Sequence, residues 1–141
     1  MIPIVINGRI RHKAEVYAYV ERIAKELNIH RFRTKPIEIN IVRHCDGSYG
    51  DTWGDKDEGV EINIARNRYN QKIAYSDMLK TLAHEMVHAK QYLRDELNGY
   101  KDTWKGKPCH RLMKKKWEDQ PWEVEANRLE DKLYRKCWKG K

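Results

Sequence analysis

The stretch Thr81-Leu82-Ala83-His84-Glu85-Met86-Val87-His88 constrains this chain more than any other, because its polar and apolar residues separate only if it is helical. At about 100° per residue with His84 at zero, His88 falls near 40° and Glu85 near 100°. Leu79, Leu82, Met86 and Leu93 then cluster between roughly 160° and 220°, opposite the histidines. Such a helix buries one side in a core and turns the other toward a cleft. Two histidines four apart on one face can both reach a single zinc ion, and the intervening glutamate stands beside them as a base.

The rest of the chain is read around that helix. Ile2, Ile4 and Ile6 share one face of an extended segment, and Asn7-Gly8, a dipeptide favoured in tight turns, suggests a hairpin with Arg9-Ile10-Arg11. From Lys13, Val16, Val20, Ile23, Ala24 and Leu27 recur with helical spacing, and Lys35-Pro36 bars continuation of a helix. Ile37-Glu38-Ile39-Asn40-Ile41-Val42 and Val60-Glu61-Ile62-Asn63-Ile64 alternate with period two, so both are half-buried strands with their isoleucines inward. Residues 44 to 59 between them hold four glycines and five acids and read mostly as loop, with a short strand available at Tyr49 to Trp53. The acid spacing is not that of a calcium-binding EF-hand.

Ser76 is the expected cap of the histidine helix, with Asp77 favoured at its positive end. Residues 98 to 110 carry Gly99, Gly106 and Pro108 and read as a loop crossing the cleft. Pro121 suits the first turn of a last helix that carries Trp122, Ala126, Leu129 and Leu133 along one face. Helix, strands, helix and helix in that order do not alternate as in a doubly wound protein. The expected class is α+β: one domain over 1–141, with a small mixed sheet of roughly three to five strands against the first two helices and the last helix closing the cleft.

Composition narrows the setting. The 141 residues suit one domain, no apolar run approaches the ~20 residues of a membrane span, and nothing at the start resembles a secretion signal. A cytoplasmic protein without membrane contact is expected. Cys45, Cys109 and Cys137 are odd in number and widely spaced, which fits free thiols rather than a disulfide framework or a cysteine zinc site. The net charge of +8 attracts phosphate, but the basic residues are scattered over Arg9 to Lys13, His30 to Lys35, Lys114 to Lys116 and Arg135 to Lys141. That distribution supports no more than weak nucleic-acid contact through basic surface.

A hydrolytic zinc site takes three protein ligands and leaves a position for water, so His84 and His88 need a third. The last helix offers Glu123, Glu125 and Glu130. Glu123 is preferred over Glu125 because Asn127 follows one turn later and can hydrogen-bond a ligand, whereas Leu129, one turn after Glu125, can orient nothing. Glu85 is the candidate general base. Tyr100, His110 and Tyr134 are candidate donors to the oxyanion of a tetrahedral intermediate.

His84-Glu85-Met86-Val87-His88 followed by Gln91, then Pro121-Trp122-Glu123-Val124-Glu125-Ala126-Asn127, resembles the gluzincin type of zinc metallopeptidase. In that type a later glutamate completes the metal site, and a small residue and an Asp or Asn follow it three and four positions on. Here these are Ala126 and Asn127. The small size and element order look like the minigluzincins and the SprT-like or phage-encoded zincins, and the ImmA/IrrE-like peptidases are similar in the same two segments. The resemblance spans roughly residues 36 to 134. It implies a zincin-like fold, one Zn2+ per chain, endopeptidase activity on protein or peptide substrates, and an extended substrate lying along an edge strand assigned to Val60, Glu61, Ile62, Asn63 and Ile64. Two rival expectations are a DNA-associated protease and a non-catalytic zinc-bound scaffold that binds nucleic acid. An intact Glu85 has no use in the second.

Overall fold

The two alternating segments dictate the centre of the molecule. In the computed structural model, which describes residues 1–140, they are the parallel neighbours β2 (Ile37–Val42) and β4 (Gly59–Ala65), in register Ile37 to Val60, Ile39 to Ile62 and Ile41 to Ile64. All six of these side chains are buried. The opposite face carries a ladder of amides along one register row: Asn7 donates to Asn40, Asn40 to Asn63, and Asn63 to Asp51, at 3.0, 3.2 and 2.8 Å. One face thus drives burial while the other satisfies its polar groups laterally.

Four strands form the main sheet in the order β1-β2-β4-β3, with β1 at Ile4–Asn7 and β3 at Gly50–Asp55. The first three are parallel, and β3 runs antiparallel on the edge beside β4. The hairpin expected at Asn7-Gly8 does not form. Gly8, at φ 95°, ends β1, and the chain passes through α1 (Lys13–Glu26) before returning as β2. Parallel neighbours require such a crossover, and this pairing brings buried Ile6 beside Ile39, a gain that a polar partner at Arg9 to Arg11 cannot match.

The α+β class stands. Helix α2 (Tyr75–Leu93) lies over β3 and β4 and packs most extensively on α4 (Pro121–Cys137), while α1 touches both of those helices. Val16, Tyr19, Val20, Ile23 and Ala24 give α1 its buried stripe, and the Tyr19 hydroxyl donates to the Leu79 carbonyl of α2 at 2.7 Å. Leu79, Leu82, Met86 and Leu93 form the buried stripe of α2 that the sequence marks. Ala74, not Ser76, occupies its cap position, since Met78 N–H already bonds the Ala74 carbonyl. Replacing fully buried Ile62 with Ala is expected to cost roughly 2–5 kcal/mol, read as a lower denaturant midpoint at unchanged slope.

Shorter elements complete the chain. The strands β5 (Asn67–Arg68) and β6 (Gln71–Lys72) make a two-rung hairpin before α2. The segment expected as plain loop holds a small meander of β7 (Leu97–Asn98), β8 (Thr103–Trp104) and β9 (Lys107–Pro108), followed by α3 (His110–Met113). Among the described residues no helix is long and apolar enough to cross a membrane. All three cysteines are free and buried.

Candidate metal centre

Helical periodicity places His84 and His88 one turn apart on α2, with ring centroids 5.0 Å apart. Pro121 opens α4 at its first turn, which sets Glu123 in the turn that faces them. Glu123 is buried and meets both rings: its carboxylate oxygens lie 3.1 Å from His84 Nε2 and 2.8 Å from His88 Nε2. Ligand atoms of these three residues all lie within 4.8 Å of one another, the only such group of three or more among the described residues.

The far ring nitrogens define what this group can hold. His88 Nδ1 lies 2.8 Å from Gln91 Oε1. That amide is oriented by its own donors, since Gln91 Nε2 gives hydrogen bonds to the Trp122 carbonyl and to Glu125, both at 2.9 Å. His88 Nδ1 therefore carries a hydrogen, and in the neutral ring its Nε2 is the lone pair. His84 Nδ1 lies 3.4 Å from Glu130 Oε1, an ionic contact that constrains the ring less than the Gln91 bond constrains His88. With both rings neutral and hydrogen on Nδ1, two lone pairs would face one carboxylate, and either a proton on each ring or a cation between them relieves that repulsion. The donor set of two imidazole nitrogens and one carboxylate suits a divalent metal of the zinc class, with the outer partners already in place.

The electrostatics agree. Burial disfavours charge on both histidines, yet the surrounding carboxylates, Glu123 first among them, outweigh it and raise both pKa values. Burial likewise pushes the Glu123 carboxyl up, but its bonds to His84 and His88 hold it down at about 2. The same negative potential that draws protons to the imidazoles draws a cation to the gap between them.

Glu125 points away from this centre. It receives Lys90 Nζ at 2.8 and 2.9 Å and Gln91 Nε2 at 2.9 Å, and so ties α4 to α2 instead of joining the histidines. Gln91, fully buried, has bonds to three different groups. Gln91→Leu is expected to destabilise the protein by about 1–3 kcal/mol, because a buried carbonyl and an imidazole N–H lose their partners, and chemical denaturation would measure it.

Glu85, 6 % exposed, stands beside the histidines on the same helix. Desolvation raises its pKa, against the lowering pull of His88 and of a hydrogen bond from Thr52, whose hydroxyl lies 2.7 Å from Oε1. All four residues line one cleft of about 810 Å³. Its wall includes Tyr49, Thr52, Trp53, Tyr92, Trp117 and Trp122.

Several expected residues lie elsewhere. Asn127 lines the cleft but makes no hydrogen bond to either histidine; Gln91 bonds the far nitrogen of His88, and Glu130 lies 3.4 Å from that of His84. One turn after Glu123 lies farther round the helix than the expectation allowed, and Glu130, two turns on, returns to His84. Tyr100 is 83 % exposed at the meander, His110 is exposed on α3, and Tyr134 packs edge-on against Tyr19 beneath Lys80, so none of the three lines the cleft. The tyrosines that do are Tyr49 and Tyr92, and burial, with Glu85 and Glu123 nearby, pushes the Tyr92 phenol up and keeps it a donor. The edge expected at Val60, Glu61, Ile62, Asn63 and Ile64 is also corrected. β4 is interior, with its hydrogen-bonding sides taken by β2 and β3, and β3 is the exposed edge beside α2.

No protein-family model, no curated protein and no solved structure matches this chain.

Proposed function

We propose that the protein is a zinc metallopeptidase of gluzincin type, a zincin-like domain that hydrolyses peptide bonds with Glu85 as general base. The observation that carries this reading is the convergence of His84, His88 and Glu123 with a second acid, Glu85, outside the ligand group but in the same cleft. A structural metal site needs no such acid and closes its coordination sphere with a fourth ligand. Zinc held by the three residues would supply a polarised substrate carbonyl and a water acidified toward neutrality.

Within that chemistry the chain's own residues have distinct tasks. Glu85 would take the proton of the attacking water and pass it to the leaving amine, and its raised pKa moves it toward the range in which a carboxylate both accepts and returns a proton. Gln91 would hold His88 in the tautomer that leaves Nε2 free, and Glu130 places its charge 3.4 Å from the far nitrogen of His84. The hydroxyls of Tyr49 and Tyr92 are the phenolic donors available in the cleft for a developing oxyanion. The open edge of β3 offers backbone groups to an extended protein or peptide substrate.

The test combines metal analysis of the purified protein with cleavage of an unfolded protein substrate. Stoichiometric zinc, with cleavage abolished by chelator and restored by added zinc, supports the reading; hydrolysis indifferent to chelator would sink it.

A DNA-associated protease is the second reading. The observation in its favour is a basic aromatic patch at the rim of the cleft: the Arg68 guanidinium lies 4.6 Å from the centroid of Tyr49 and 5.3 Å from that of Tyr69, which is largely exposed. Binding to single-stranded DNA that weakens steeply with salt and is lost in Arg68→Ala would favour it over a free peptidase.

A further inference from the structure

The edge strand sends an unusual face toward the histidine helix. On β3 the residues that alternate toward α2 are Gly50, Thr52 and Gly54, so Thr52 is the only one of the three with a side chain. Both glycines are crowded, Gly50 by β4 and α2 and Gly54 by β4 alone. A Cβ on Gly50 would stand 2.7 Å from the Asn63 carbonyl oxygen and 3.0 Å from Thr81 Cγ2 on α2, and one on Gly54 would meet Val60. At Gly50 the missing side chain lets the strand approach α2, and Thr52 supplies the polar contact between them.

That contact falls on the acid next to the metal-site histidines. Thr52 Oγ1 lies 2.7 Å from Glu85 Oε1 and 3.3 Å from the Glu85 carbonyl oxygen. A hydroxyl has one hydrogen to give, and the carboxylate is both nearer and charged, so it takes the bond. Among the described residues it is the only side-chain hydrogen bond this carboxylate accepts. Threonine suits the task because its branched Cβ restricts χ1 and so fixes the direction of the hydroxyl.

We infer that Thr52 is a positioning residue for Glu85: by holding Oε1 against the edge strand it commits the other oxygen, Oε2, to face the cleft and exchange protons there. The inference rests on the peptidase reading for its consequence in turnover, while the orientation of Glu85 can be read without any activity. Serine keeps the donor and loses a methyl; valine keeps the shape and loses the donor.

The experiment compares wild type, Thr52→Val and Thr52→Ser, all zinc-loaded and matched for metal content, on one peptide substrate. Thr52→Val is expected to lower kcat by about 10–100-fold with KM little changed, the loss typical of an outer partner that orients a reacting group. Thr52→Ser should recover most of it. Wild-type kcat in Thr52→Val, or equal losses in both variants, would overturn the inference. A second readout is the crystal structure of metal-free Thr52→Val, in which the Glu85 carboxylate should occupy more than one orientation; a single unchanged orientation would overturn it as well. Should the wild type bind zinc yet cleave nothing, the peptidase reading fails alone, and the orientation measurement still decides what Thr52 does.

Discussion

A Glu85→Gln protein should fold, bind zinc to the same stoichiometry as wild type, and hydrolyse peptide at least roughly 10² to 10⁴-fold more slowly, the range that general-base catalysis supplies. The substitution keeps length and helix propensity, and Gln retains a carbonyl oxygen for Thr52, so the contact at 2.7 Å need not be lost. It removes the one feature that His84, His88 and Glu123 would not provide on the proposed reading, a carboxylate free to move a proton. Because desolvation disfavours charge on Glu85, the neutral amide should leave stability unchanged or raise it slightly. Turnover in a peptide-cleavage assay, read beside metal content and a melting curve, checks all three. Equal turnover in the two proteins would show that the histidine helix is not where hydrolysis occurs.

Two glutamates only two residues apart should behave oppositely. Glu123→Ala takes away the carboxylate that faces both imidazoles, and zinc affinity should fall by more than the roughly 10- to 100-fold that loss of an outer partner costs. Glu125→Ala should retain zinc, since that side chain faces Lys90 and Gln91. Its cost should appear in stability, about 1–3 kcal/mol, because Gln91 loses an acceptor in a buried setting, while Lys90 keeps Glu96 at 2.8 Å. Zinc titration and chemical denaturation on both variants would separate the effects. Retention of tight zinc by Glu123→Ala with its loss in Glu125→Ala would reverse the assignment of the third ligand.

What could be read from the chain beforehand was whatever local periodicity encodes. The isoleucines of β2 and β4, the apolar stripe of α2 with its histidines opposite, and Pro121 at the head of α4 all follow from spacings of two or about 3.6 residues. Strand pairing is not local. Asn7-Gly8 is a turn signal in isolation, and only the competing offer of Ile39 as a neighbour for Ile6 makes β1 pair across a helix instead. For the same reason the edge is not legible: β4 precedes α2 in sequence, yet the polar, glycine-rich segment before β4 supplies the edge. Nothing local marks Thr52, because its contact with Glu85 depends on strand pairing and on a helix some thirty residues later. Gln91 was visible as part of a motif, but its work as the hinge between His88, Trp122 and Glu125 needs the packing of α4 to be known.

The donor group is divided between α2 and α4, with His84 and Glu123 separated by 39 positions. During synthesis the histidines therefore leave the ribosome well before the acid that completes their set, and a nascent chain lacking α4 holds only two of the three donors. Competence arrives with docking of the last helix, through contacts that have nothing to do with chemistry: Lys136 to Glu26, Arg22 to the Cys137 carbonyl, and Trp138 edge-on against Tyr19. On the proposed peptidase reading, a protein assembled in that order would stay harmless to its own unfolded chain until little of that chain remains unfolded.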